Sequence, residues 1–176
     1  MATQSGNICI AAGVVSAGPW VANYGATTLV DVGHTRGVSL NYTTEDYDHE
    51  TDRAFGIVKS VPIRAQGVLA AILDEATPEN YALAMRQPTS NITGSAPNKS
   101  FFVDAPQEQY QRITIGTQGI GTTRARTFTL AKCRVALNGE IAFQKAAAQA
   151  LPIQAAALFD DSIAAGSGQF FKFVDA

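Results

Sequence analysis

Histidine, cysteine and charge are all scarce in this chain. It has two histidines and two cysteines in 176 residues, and Asp, Glu, Lys and Arg together make up 16%. His34 stands in a glycine-rich stretch and His49 among acids, so histidine-based catalysis and metal binding are restricted from the outset. Cys9 and Cys133 are too few for a disulfide framework or a zinc site. They read as small buried thiols in a reducing compartment, with a single bridge as the alternative. Charge well below the usual level of about 25% fits a surface partly covered by neighbours, the alternative being a monomer rich in Ala, Gly and Thr. No run approaches the roughly 18 apolar residues of a membrane span. The N-terminus lacks the basic start and long apolar run of a signal peptide. The expectation is a protein made in a cytoplasm, staying there or leaving inside an assembly. A net charge of −2 argues against a binder that grips nucleic-acid phosphates.

Catalytic signatures are missing too. Gly116-Thr-Gln-Gly119-Ile-Gly121 is followed by Thr-Thr-Arg-Ala-Arg, without the lysine and helix of a phosphate-binding loop, and reads as a hairpin turn. There is no Gly-x-Ser-x-Gly elbow, and Cys133 has no neighbouring histidine to activate it. Asp74-Glu75 and Asp160-Asp161 read as turn and cap residues. His49 with Asp46, Asp48, Glu50 or Asp52 offers oxygen ligands for a hard cation, but lacks the glycine and terminal glutamate of a calcium loop. A solvated or partner-facing acidic loop is the better reading. No catalytic residue, metal or cofactor is expected.

What is present is concentrated between Val32 and Met85. Val38, Leu40 and Tyr42 alternate with Ser39, Asn41 and Thr43 in the period of a half-buried strand. Asp46, Asp48, Glu50 and Asp52 then share one parity, so in an extended chain their carboxylates lie on one side. Apolar alternation resumes at Ile57, Val61, Ile63 and Ala65, and Gly67 leads into VLAAIL, a run that periodicity alone leaves open between strand and helix. Thr77-Pro78-Glu79 is a helix start: a capping hydroxyl, proline at the first position and a carboxylate at the positive end of the dipole. The helix is expected to end near Gln87, before Pro88.

Outside that stretch, a first strand is expected from Asn7 to Val15, closed by turn chemistry at Ser16-Ala17-Gly18-Pro19. Trp20 to Thr28 reads as irregular, with Trp20 and Tyr24 packed on a sheet or a neighbouring subunit. Pro88 to Pro106 reads as a long polar connection, of a length that marks a functional excursion or a mobile loop. Strands are expected over Gln109 to Gly116 and Arg124 to Val135, the latter covered on two sides or bulged midway. Asn138-Gly139 is the best local hairpin signal, leading into Glu140 to Phe143. In KAAAQALPIQAAALFDD the alanines favour helix while Pro152 breaks one.

In order, a Gly33-x-Thr35-x-Gly37 turn opens an alternating strand. An acidic loop ends at Asp52, a strand pair ends in Leu73-Asp74-Glu75, and Thr77-x-Glu79 opens a short helix. This order resembles the tail tube proteins of long-tailed bacteriophages. Leu151-Pro152-Ile153, Asp160, Gly166-Ser-Gly168 and Phe170 to Val174 fit the family's closing strand, aspartate turn, glycine-rich link and final strand, which settles the alanine-rich segment as a strand. Arg36-Gly37 stands where the family often has two glycines, and Arg53 where a glutamine is common.

The resemblance implies a mainly β fold: an antiparallel β-sandwich with one short α-helix, one domain over residues 1–176 with a loop protruding near 43–56. It implies hexameric rings with a continuous luminal β-barrel, stacked into a tube, with terminator, tape measure and distal tail proteins as further partners. DNA passes through such a lumen without sequence-specific binding, no membrane is involved, and the protein resides in the virion tail after assembly in the host cytoplasm. By position, Asp46, Tyr47, Asp48, His49, Glu50, Asp52 and Arg53 are the candidates for contact with the next ring, facing cations such as Arg36, Lys59 or Arg64. Gly33, Thr35, Gly37, Thr77, Pro78 and Glu79 are the structural turn and cap. The alternatives are a capsid-decoration protein, the inner tube of a contractile machine, or a small hydrolase on a β-sandwich.

Overall fold

A computed structural model describes residues 13–50, 57–117, 125–141 and 149–175. In chain order the strands are β1 (Gly13–Pro19), β2 (Val30–Asp31), β3 (Thr35–Glu50) and β4 (Ile57–Leu73), followed by helix α1 (Pro78–Ala84). Then come β5 (Ile92–Ser95), β6 (Asn98–Phe101), β7 (Gln111–Thr117), β8 (Arg126–Leu137), β9 (Leu151–Leu158) and β10 (Phe171–Asp175). The protein is mainly β, with antiparallel sheets and one short helix. Eight strands form one sheet in the order β2-β1-β7-β8-β9-β4-β3, with β10 paired to β8 beside that path, and β5 and β6 form a separate ribbon.

The expected two layers are thus joined in one hydrogen-bonded ladder, and a short connection forces that ladder to curl. Strands β2 and β3 lie at opposite ends of the path, six steps of about 4.8 Å or roughly 29 Å apart if the sheet were flat. Yet four Cα steps from Asp31 to Thr35 join them and reach at most about 15 Å. The two ends are therefore drawn together, and β1 approaches β3. Inside the curl lies one apolar cluster with Val15 of β1, Ile113 and Ile115 of β7, Leu130 and Val135 of β8, and Leu69 and Leu73 of β4. Strand β9 supplies its alternate residues Leu151, Ile153, Ala155 and Ala157 to the same cluster.

Helix α1 closes the seam. The Thr77 hydroxyl accepts from the Asn80 backbone N–H at 3.2 Å and Pro78 opens the helix, as expected, although the helix stops at Ala84 rather than near Gln87. Asn80 is buried, and its side-chain amide donates to the carbonyls of Val32 at 2.9 Å and Glu75 at 2.8 Å. One amide thus ties the chain after β2 to the chain after β4.

Several local expectations change. Ser16 to Pro19 is not a turn but the end of β1, paired with β7 through Gly18↔Arg112 and Pro19↔Gln111. Gly18 is needed there because a Cβ would sit 2.4 Å from the Thr28 carbonyl oxygen. The polar stretch from Pro88 to Pro106 holds the β5–β6 ribbon instead of an unstructured excursion. Asn138-Gly139 does turn, but no strand forms at Glu140 and Ile141, and β8 pairs instead with β9, Leu137 opposite Ile153. Pro152 is tolerated in β9 because the β8 pairing ends at Ile153. Its carbonyl still accepts from Asn138 N at 2.8 Å, and its missing N–H falls past the last paired residue of β8. The expected bulge in β8 is present. Between the pairs Ile113↔Leu130 and Gln111↔Cys133 one residue of β7 faces Ala131 and Lys132, and there β8 exchanges β10 for β9 as its neighbour. The Gly116 to Gly121 segment starts a hairpin whose arms are in register at Thr117↔Arg126, its tip lying outside the described residues.

Cys133 is a buried thiol that donates to the Gln111 carbonyl at 3.2 Å, and burial pushes its pKa up to about 12; Cys9 lies outside the described residues. Native protein should therefore leave Cys133 unlabelled by iodoacetamide at pH 8, while urea-unfolded protein labels fully, as read by peptide mass spectrometry. Asn80→Ala should lower the urea midpoint at unchanged slope by the equivalent of about 1–3 kcal/mol, since it leaves two carbonyls without their donor.

Candidate functional site

The feature that stands away from the body is the outer half of the β3–β4 hairpin. The expected acidic loop is a strand: β3 continues to Glu50 and pairs with β4 through Glu45↔Arg64, Tyr47↔Val61, Asp48↔Ser60 and His49↔Lys59. Every residue from Asn41 to His49 and from Lys59 to Arg64 is exposed. Beyond Tyr42 both faces of this arm are thus bare over about 20 Å, taking roughly 3.4 Å per residue from Thr43 to His49. The acidic residues suit such a segment: with no core on either side, no apolar face is required.

The arm has two unlike faces, set by strand alternation and register. Asp46 and Asp48 continue the side of Leu40 and Tyr42, opposite Pro62 and Ser60. The other side carries Tyr47 against Val61, flanked by Glu45 against Arg64 and His49 against Lys59. Tyr47 is 59% exposed and Ile63, at a bulge in β4, is 61% exposed. His49 falls on the face opposite Asp46 and Asp48, so among the described residues it is not brought together with those carboxylates. Asp52 and Arg53 lie outside the described residues. Of the cations expected to meet the acids from another ring, Lys59 and Arg64 stand across the arm's own ladder. Arg36 instead pairs with Asp74, Nε to Oδ1 at 2.9 Å.

The turn and cap residues meet at the other end of the same hairpin. Gly33 has φ +82°, donates its N–H to Asp31 Oδ1 at 2.9 Å, and would drive a Cβ to 2.3 Å from the Glu75 carboxyl carbon. Glu75 Oε1 accepts from His34 N at 3.2 Å. Gly37, at φ +61°, falls in the register break between Arg36 and Ser39, a bulge rather than a turn. The Thr35 hydroxyl is buried without a hydrogen-bond partner. Glu79 is ion-paired with Lys99 of β6, whose hydrogen bond holds the carboxyl below its ordinary value. Between α1, the β1–β2 edge and this end of β4 lies a largely apolar groove of about 750 Å³, with Ala17, Val30, Val32 and Leu83 in its walls and Asp31, Glu75 and Glu79 among its polar groups.

Beside the groove, residues distant in sequence form a polar knot that nothing in the sequence pattern reveals. Lys132 Nζ lies 4.5 Å from the Trp20 ring centre and 4.4 Å from that of Tyr110, the two rings meeting edge to face. Trp20 Nε1 donates to Asp160 Oδ2 at 2.8 Å, and Ser162 gives Asp160 its N–H at 3.1 Å and its hydroxyl at 2.5 Å. Arg112 fastens the 20–25 segment, donating to the carbonyls of Val21 at 2.7 Å and Gly25 at 2.8 Å. Tyr24 donates to Gly168 O at 2.6 Å. Trp20 and Tyr24, expected on a sheet or a neighbour, are thus tethers of their own body.

The fold and these surfaces define a mainly β protein with a protruding hairpin and, among the described residues, no histidine or thiol in the lining of its groove. No protein-family model and no curated protein sequence matches the chain. One solved structure it resembles is the cryo-EM structure of the anti-feeding prophage cap, described as the AFP tube terminating cap: TM-score 0.42, 13% identity, covering 100% of both chains. A likeness of that degree defines neither a shared fold nor a shared role.

Burial raises the Asp160 carboxyl, but the Ser162 and Trp20 hydrogen bonds and the Lys132 charge outweigh it, and its pKa falls below the ordinary value. A depressed carboxylate stabilises above its unfolded pKa of about 3.9 and loses that contribution as pH falls through the folded value. Asp160→Asn should therefore cost about 1.5–3 kcal/mol at pH 7, measured from urea midpoints. The gap to wild type should close below about pH 4; a gap independent of pH would refute the ionised role.

Proposed function

We propose that the chain is a structural subunit of a phage-type tail tube, forming hexameric rings that stack into a conduit for DNA. The observation that carries this reading is the arm, a two-stranded ribbon bare on both faces with Tyr47, Val61 and Ile63 exposed on it. A lone two-stranded ribbon is marginal in water, and exposed apolar groups on it call for a partner. A contact with the next ring supplies one. Strand β3 is also an edge: over 16 residues it pairs only with β4 among the described residues. Exposed edges of that length invite pairing with another chain, and closure around a ring removes them.

The side of the sheet turned away from the core suits a lumen. On adjacent strands it presents Ser16, Thr114, Thr129, Gln154, Ser39 and Asn41, together with the cations Arg134 and Lys172, positions related by the pairings Ser16↔Thr114, Thr114↔Thr129, Thr129↔Lys172, Ser39↔Ala70 and Arg134↔Ala156. Hydroxyls and amides allow DNA to pass, and two separate cations among them fall short of the rows of Lys and Arg that would hold it. In this reading the chain acts without cofactor or catalysis, meets terminator, tape measure and distal tail proteins at the ends of the tube, and resides in the virion.

Charge reversal of Asp48 and Glu50 to lysine should leave the thermal melt nearly unchanged, since exposed substitutions usually shift stability by less than about 0.5 kcal/mol. The same variant should fail to stack, giving isolated rings or short tubes in negative stain where wild type gives long ones. Tubes of full length from the variant would refute the role of the arm. Threefold particles from wild type would point to a decoration protein instead.

A further inference from the structure

The geometry points to the groove beside α1 as the receptor, on a second copy of this chain, for the Tyr47–Val61 face of the arm. This rests on the tube reading and adds to it the docking face, its receiving site and the polarity of the contact.

Strand β4 starts at Ile57 in the outer arm and ends at Leu73, immediately before Asp74, Glu75 and Thr77. Glu75 and Thr77 line the groove. Arm and groove are therefore opposite ends of one hairpin, separated by the length of a 17-residue strand, about 55 Å at roughly 3.3 Å per residue. Two unlike patches at opposite ends make a head-to-tail contact, which repeats from copy to copy instead of closing as a twofold pair.

Charge selects the face. The only formal charges on β4 are Lys59 and Arg64, and register places both on the side of Tyr47 and Val61. The groove carries Asp31, Glu75 and Glu79 against the single ammonium of Lys99, which is already paired with Glu79. Glu45 stands across from Arg64 on the same side, so that face carries one net positive charge, chiefly Lys59, to meet Asp31 and Glu75, while the opposite face, with Asp46 and Asp48, is repelled. Tyr47 and Val61 are 59% and 39% exposed, and the groove offers apolar walls at Val30, Val32 and Leu83 to cover them. Such rim charges fix register more than they add affinity.

A photo-crosslinking benzoylphenylalanine in place of Tyr47, in the full chain, tests this. Mixed light and heavy isotope-labelled chains distinguish crosslinks between copies from those within one. Crosslinks between copies to peptides containing Val30 to Val32 or Leu83 are expected. Lys59→Glu with Arg64→Glu, both exposed on the arm and outside the packed body, should lower their yield at least tenfold while circular dichroism stays unchanged. Rings and tubes in the micrograph with crosslinks to another surface, including arm to arm, would overturn the docking site and leave the tube standing. A chain that stays monomeric at every concentration would overturn both. Retention of a small molecule in the groove through native mass spectrometry would also overturn the docking site.

Discussion

The link from Val32 to His34 constrains everything else. Three residues connect the first and last strands of a seven-strand path, and the peptide backbone is too short to do so unless the sheet rolls up. Rolling gives the chain an inside, and that inside is filled mainly with Val, Ile, Leu and Ala. Where the roll meets itself, backbone carbonyls need donors away from bulk water, and Asn80 supplies two of them from α1. Gly33 lets the link pass against Glu75 with no Cβ between them.

A closed body leaves surplus strand. The pairing of β4 with β9 runs only from Val68 to Leu73, but β3 and β4 stay paired with each other out to Glu50 and Ile57. The surplus becomes the arm. At its base Tyr42 meets Phe171 edge to face at 5.2 Å, and Phe171 stacks on Phe128 at 5.1 Å, so the ribbon leaves from an aromatic anchor. Beyond that anchor the body offers it no packing. An extension of this kind is held only by its own ladder, and its natural role is contact with something else.

The rest of the molecule keeps the two ends distinct. The Trp20–Asp160 hydrogen bond and the Lys132 cation between two rings fasten the irregular 20–28 and 159–170 segments to the sheet. These contacts fix the wall of the groove next to Trp20 and Tyr110. One end is thus a firm concave surface with an acidic rim, and the other a convex ribbon carrying its cations on one face.

Periodicity in the sequence was enough to place the first part of β3, the first part of β4, β7 and β8, and cap chemistry was enough to start α1 at Thr77, because these signals are local: side chains alternate with the backbone, and a hydroxyl caps the N–H three residues on. The acidic stretch after Thr43 looked like a loop because a ribbon exposed on both faces needs no apolar alternation, and Ser-Ala-Gly-Pro looked like a turn because turn propensity yields to seven residues of pairing with β7. Only the tertiary structure decided that one sheet rolls on itself, that β8 changes neighbours at Ala131–Lys132, and that Trp20, Lys132 and Asp160 converge. Those are encounters between residues up to 140 positions apart, set by the path of the backbone, and no local pattern of residue types encodes such a distance.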